Sequence, residues 1–261
     1  MVDDELRALK ALRLDWAPTP DDVWKPSPFH VDGVHPEVSD TILDGLREAA
    51  EGQDTHPLGV VITGPAGAGK THLLGWLRER VQREGGYFFL VELQDERAFW
   101  KSVASSMVEG LVRPAADGTR QLDGFLRGLL ELTWAQPTLK DAVLGRAPLS
   151  LDQVEQLIGA LRRINPVVGM ECKDTLRALV LLAGSDPAAV DLGQYYLAGV
   201  DEADPVERKR WRFPQEPKKV QQIVRELLRL LALTGPSAVA VDQCSDGLLN
   251  RRLHEPAHAQ H

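Results

Sequence analysis

Cysteine is scarce in this sequence, with Cys172 and Cys244 the only two in 261 residues. They show no Cys-X-X-Cys spacing, so neither a disulfide framework nor a cysteine-based zinc site is indicated. Long apolar runs are absent too, because no window approaches the roughly eighteen apolar residues of a membrane-spanning helix. The N-terminus is acidic and has a charged residue every few positions, so it does not resemble a secretory signal. We therefore expect a cytoplasmic protein that does not cross a membrane.

Basic residues are outnumbered, with 30 Lys and Arg against 38 Asp and Glu, a formal net charge of -8. This argues against a uniformly basic surface for nucleic acid but allows a local patch. Residues 207–219, ERKRWRFPQEPKK, form such a patch. Basic side chains could bind DNA phosphates there while aromatic rings stack on bases, and the candidate contacts are Arg208, Lys209, Arg210, Trp211 and Arg212. Alternatively, the segment is a solvated connector anchored to the core by its aromatic residues.

Glycine, in contrast, is concentrated in the octet GPAGAGKT at residues 64–71, which matches G-x-x-x-x-G-K-[ST] at every fixed position. The apolar run at 58–63 is typical of a buried strand. A helix is predicted from 70 to about 83, followed by a second strand at 87–93. Strand, loop, helix and strand in this order predict a βαβ unit with parallel strands.

Each fixed position of the octet has a physical role. The glycines allow backbone angles and close approaches that a side chain would prevent, and successive amides at a helix N-terminus form an anion site. Lys70 supplies a positive charge toward the β and γ phosphates, and the Thr71 hydroxyl is a ligand for Mg²⁺. The predicted nucleotide-binding residues are Gly64, Pro65, Ala66, Gly67, Ala68, Gly69, Lys70, Thr71 and His72.

A phosphate loop also needs an acid at the end of a neighbouring buried strand. Asp242 ends the apolar run 237–242 and is the predicted second magnesium residue. Gln243 follows it, where many ATPases carry a glutamate that activates the attacking water. An amide orients water but does not accept its proton, so Glu92 at the end of the second strand is an alternative base. The candidate catalytic residues are Lys70, Asp242, Gln243 and Glu92.

These motifs resemble those of P-loop ATPases of the AAA+ and STAND type, the class with an additional catalytic strand. The resemblance rests on GPAGAGKT, AVAVDQ and the upstream FHVDGVH. The helical stretch before VDQ is similar to that of bacterial ATP-binding proteins from multigene systems, including anti-phage ones. The resemblance implies an α/β P-loop fold with a parallel sheet flanked by helices, and ATP and Mg²⁺ as ligands. It also implies ATP hydrolysis that drives conformational change within a multi-protein complex such as a defence system, while action on DNA is expected from the basic segment 207–219. Neither a guanine-reading [NT]KxD element nor an LSGGQ signature occurs, which favours ATP by elimination.

Four regions follow from the pattern. Residues 1–57 hold a predicted N-terminal helix and a proline-rich segment leading to the nucleotide site. Residues 58–95 hold the P-loop βαβ unit, and 96–234 form a helical insertion, far longer than a crossover needs. Residues 235–261 hold the Walker B strand and a polar tail.

The resemblance also implies two further strands after the Walker B strand, for which the 19 residues after Asp242 are too few. We therefore expect a sheet that is incomplete at its C-terminal side. Three explanations stay open: the chain is the N-terminal piece of a longer protein, a partner completes it, or it binds nucleotide in a degenerate way. Protein partners or self-association are expected. Two alternatives to an ATP hydrolase are a nucleotide-dependent scaffold that binds ATP without cleaving it and, with less support, a small-molecule kinase.

Overall fold

The structure, a computed structural model, describes residues 20–25, 36–51, 59–65, 67–93, 98–115, 117–200, 202–216 and 218–242. Within these ranges the chain is mostly helical, with eleven α-helices, one 3₁₀ helix and two strands in a parallel sheet. No helix among the described residues combines the length and apolar character needed to cross a bilayer. The predicted N-terminal helix, Ala66 and Gln243 lie outside the described residues.

The elements follow one another in this order: a 3₁₀ helix (Pro20–Trp24), α1 (Pro36–Glu51), α2 (Lys70–Arg83), β1 (Tyr87–Glu92), α3 (Phe99–Val112), α4 (Gln121–Leu132), α5 (Pro137–Val143), α6 (Leu151–Ile164), α7 (Pro166–Glu171), α8 (Lys173–Leu182), α9 (Pro187–Ala198), α10 (Pro205–Arg210), α11 (Val220–Leu231) and β2 (Ser237–Asp242).

The two strands pair in parallel, from Tyr87 opposite Ser237 to Glu92 opposite Asp242. Side chains alternate between the faces of a sheet, and here both faces of β1 are buried. Phe89 on one face packs with the helical insertion, whereas Phe88 on the other packs with α1, α2 and the 3₁₀ helix. Helices therefore cover both faces, which is why β1 is a continuous apolar run.

The helices α3 to α11 lie between the two strands, in the stretch where a helical insertion is predicted. Its helix ends follow the local signals. Ser150 and Gln153 form a capping box at the start of α6, and Asp186 caps α9 ahead of Pro187. Gly199 ends α9 at φ 68°, a left-handed conformation that glycine adopts without steric cost.

The predicted strand at 58–63 is wrong over residues 59–63, and Leu58 lies outside the described residues. Residues 59–63 have no regular secondary structure, and the parallel partner of β1 is β2 instead. The side chains of Val60 and Val61 are 42% and 73% exposed, and Ile62 alone of the three packs on the core cluster around Phe88. A strand gains its backbone hydrogen bonds only from a neighbouring strand, and no described strand pairs with this segment. Apolar composition alone therefore did not produce a strand.

The outer edge of β1 is closed by a side chain. Gln121, the first residue of α4, accepts a hydrogen bond from the Phe88 amide at 2.8 Å. Its own amide nitrogen donates to the Phe88 carbonyl at 3.0 Å and to the Gly110 carbonyl at 2.8 Å. One side-chain amide thus takes the place of a neighbouring strand at this position and ties α3, α4 and β1 together.

We expect Gln121→Glu to destabilise the protein by about 2–3 kcal/mol, because glutamate keeps the shape but removes both donated hydrogen bonds. Phe88 is fully buried, so its carbonyl would face a carboxylate without water to replace the lost partner. Urea unfolding monitored by circular dichroism measures the change. Gln156→Glu on the exposed face of α6 is the control and should cost less than about 0.5 kcal/mol. Equal stability of the two variants would contradict this role.

Candidate nucleotide-binding site

The glycine-rich segment forms a tight loop that leads directly into α2. Gly67 and Gly69 have φ values of 81° and 84°, a backbone conformation that other residues rarely adopt. The Ala68 amide donates to the Pro65 carbonyl at 3.2 Å, which closes a turn within the loop. A β-carbon at Gly64 would lie 3.2 Å from that of Ala68, so the two sides of the loop approach closely. Backbone amides beside a helix N-terminus are the arrangement that binds anions in proteins.

Lys70 lies across this loop. Its ammonium donates to the Gly64 carbonyl at 2.8 Å and to the Pro65 carbonyl at 3.0 Å. An ammonium has three donors, so two hold the loop and a third is available to a phosphate oxygen. The positive charge is thereby fixed beside the N-terminus of α2, where the helix dipole also favours an anion.

Thr71 and Asp242 meet although they are 171 residues apart in the chain. The Thr71 hydroxyl Oγ1 donates to Oδ2 of Asp242 at 3.4 Å. Thr71 belongs to the first turn of α2 and Asp242 is the last residue of β2, so the fold brings the helix start to the strand end. Hydroxyl and carboxylate oxygens are ligands that Mg²⁺ accepts, alongside waters and phosphate oxygens. No cluster of three or more acidic, histidine or cysteine ligands occurs in the described part of the chain.

Glu92 is placed beside Asp242 by the strand register. The two residues are partners across the parallel sheet, and paired residues project from the same face. Neighbouring strands lie about 4.8 Å apart, so the two acids stand one strand apart at the same end of the sheet. The Glu92 side chain is exposed, as an acid that contacts a water or a ligand must be. His72 follows Thr71 in α2 and is half-buried.

Comparison of the chain with protein-family models, with curated proteins and with solved structures finds no match. The resemblance to AAA+ and STAND ATPases therefore stays a prediction.

The basic segment is anchored by its aromatic residues, as the connector alternative predicts. Trp211 and Phe213 are only 2% and 7% exposed, so neither ring is available to stack on a base. Phe213 packs against Tyr196 with 4.8 Å between ring centroids, and the Arg177 guanidinium lies over the Phe213 ring, 5.5 Å from its centroid. Trp211 is thus a core residue in this structure and not a nucleic-acid contact.

Part of the positive charge of this segment is already paired. Arg210 forms ion pairs with Asp186 at 3.2 Å and with Glu207 at 3.1 Å, and Arg208 donates to a backbone carbonyl. Lys209 and Arg212 are exposed. The surface available for an anionic partner is therefore smaller than the sequence indicates.

Thr71→Val should raise the Mg²⁺ concentration needed for half-maximal nucleotide binding at least about tenfold, because it removes a magnesium ligand while keeping the side-chain shape. Asp242→Asn should act in the same direction. A fluorescent ATP analogue titrated at several Mg²⁺ concentrations measures the effect. Thr138→Val, on the exposed surface of α5, is the matched control and should behave like the unaltered chain. An unchanged Mg²⁺ requirement in both site variants would argue against this metal site.

Proposed function

We propose that the chain binds Mg-ATP at the loop 64–71 and hydrolyses it. The observation that carries this proposal is the meeting of Thr71 with Asp242 beside a loop whose lysine is already folded into it. A glycine turn without function would not be expected to place a strand-end acid against the first hydroxyl of the following helix. The same arrangement supports the proposed P-loop fold.

Binding would use groups that are already in place. The loop amides and the N-terminus of α2 would receive the phosphates, with the Lys70 ammonium beside them. Thr71 would hold the magnesium ion directly, and Asp242 would hold it directly or through its water shell. The ion supplies charge neutralisation at the β and γ phosphates when it is bound.

Among the described residues, Glu92 is the proposed general base for hydrolysis. It would accept a proton from the attacking water as the water oxygen bonds to the γ phosphorus. The bond from that phosphorus to the bridging oxygen then breaks, which yields ADP and phosphate. Gln243 lies outside the described residues, and as an amide it would orient the water without taking its proton. The pairing of Glu92 with Asp242 supports this assignment over a purely solvated strand-end charge.

Coupling to the rest of the molecule would run through β2. This strand follows α11 after a short turn, and α11 packs on α3, α8 and α7 within the helical insertion. A small movement of Asp242 upon phosphate release would therefore act on the insertion. Action on DNA or within a multi-protein complex such as a defence system remains part of the proposal, with Lys209 and Arg212 as the exposed basic contacts.

The proposal predicts that phosphate release from ATP falls at least about a hundredfold in Lys70→Ala, which removes the charge that stabilises the transferred group. Glu92→Gln should slow phosphate release by a similar factor while nucleotide binding persists, because only the proton acceptor is lost. A coupled phosphate assay with a fluorescent-analogue titration separates the two effects.

Matched controls are Lys173→Ala and Glu131→Gln, both at exposed positions remote in sequence from the loop. Each should retain the rate of the unaltered chain. Tight ATP binding with no phosphate release by the unaltered chain would reject hydrolysis and favour a nucleotide-dependent scaffold. A normal rate in Glu92→Gln would remove Glu92 from the mechanism.

A further inference from the structure

A cavity of about 380 Å³ lies between β1, α3 and the 3₁₀ helix. It reaches Leu90 and Glu92 on β1, so it lies on the outer side of that strand, with β2 and the Thr71–Asp242 contact on the other. Its volume falls within the range of sites that hold small molecules. Of the described residues proposed for the nucleotide site, only Glu92 lines this cavity.

One wall of the cavity is a row of hydroxyl groups. Ser102, Ser105 and Ser106 have the i, i+3, i+4 spacing that places side chains on one face of α3, and all three line the cavity. The opposite face of the helix, which carries Val103 and Met107, is buried in the core. Each hydroxyl can both donate and accept a hydrogen bond. The serine spacing is visible in the sequence, whereas the cavity it faces is not.

The far end of the cavity is formed by an aromatic and ionic cluster. The Arg113 guanidinium lies 4.9 Å from the centre of the Trp24 ring and pairs with Glu109 at 2.8 Å and with Asp21 at 3.5 Å. Trp24 in turn contacts the ring of Phe88 edge to face at 5.8 Å. The Arg113 charge offsets only one of the two carboxylates of this cluster, while the indole still forms part of the cavity wall.

Charge in the cavity does not favour an ionic ligand of either sign. Three acidic residues and two basic ones line it, and Arg113 is already engaged by two of the acids. Glu92 would repel a phosphate, and Lys101 would repel a polycation. Hydroxyls, a carboxylate and an aromatic ring together suit a neutral molecule with many hydroxyl groups and an apolar ring face.

We propose that this cavity binds a neutral polyhydroxylated molecule of the sugar or polyol class. Its hydroxyls would bond to the serines of α3, and its ring would pack on Trp24. The proposal does not depend on ATP binding, because none of the loop residues 64–71 lines the cavity.

Calorimetric titration without nucleotide tests the proposal, with ribose, glucose, trehalose and myo-inositol as probes. We expect saturable binding of at least one probe with a Kd below about 1 mM. Ser106→Leu, which fills the cavity, should weaken that binding at least about tenfold, and so should the smaller change Ser102→Ala with Ser105→Ala. Circular dichroism shows whether each variant is folded.

Ser39→Leu on α1 is the matched control, because Ser39 does not line the cavity. Lys70→Ala should bind the probe as the unaltered chain does, so a failure of ATP binding leaves this test intact. The proposal is overturned if no probe binds saturably, or if binding is unchanged in both the Leu and the double Ala variant. Glucose 6-phosphate binding more tightly than glucose would also contradict the neutral ligand class.

Discussion

The parallel pairing of β1 with β2 is the contact on which the candidate nucleotide site depends. It joins two segments separated by the whole helical insertion, sets Asp242 level with Glu92 and brings Asp242 to Thr71. Closing so long a stretch of chain costs conformational entropy, although that cost grows slowly with length. Burial of Phe88 and Phe89 on opposite faces of β1 offsets it. Without this pairing the loop 64–71 could keep its conformation, but Asp242 would no longer lie beside it.

The helical insertion fixes where β2 begins. Glu226 on α11 is buried, and it accepts hydrogen bonds from Thr175 on α8 at 2.5 Å and from Lys218 at 2.9 Å. The Tyr87 hydroxyl lies 2.7 Å from that of Thr234, in the turn between α11 and β2, and burial raises the pKa of Tyr87. Because β2 follows this turn directly, these contacts position the strand that ends in Asp242. Breaking a buried charge–hydrogen-bond network of this kind is costly, so the start of β2 is held in place by the insertion.

Local signals predicted much of this structure. The start of α2 at Lys70, the capping box at Ser150, the end of α9 at Gly199 and both strands of the sheet follow from spacing and residue type. Long-range pairing could not be predicted in the same way. The apolar segment 59–63 lacks a strand partner, and the Gln121 side chain closes an edge that periodicity cannot reveal. The aromatic residues of the basic segment face the core because burial of Trp211 and Phe213 is more favourable in free energy than their exposure to water. The contact of Thr71 with Asp242 was predictable only as a hypothesis from the motif, since no local rule joins the two.

The central claim is that the loop 64–71 recognises the β and γ phosphates of a nucleotide with magnesium. Isothermal titration calorimetry of the unaltered chain with ATP and with AMP, each with and without Mg²⁺, tests it most directly. The account predicts one saturable site for ATP that is tighter with Mg²⁺, and at least about a hundredfold weaker binding of AMP, which lacks the phosphates that Lys70 and the magnesium ligands would contact. No saturable ATP binding, or equal affinity for ATP and AMP, would contradict it.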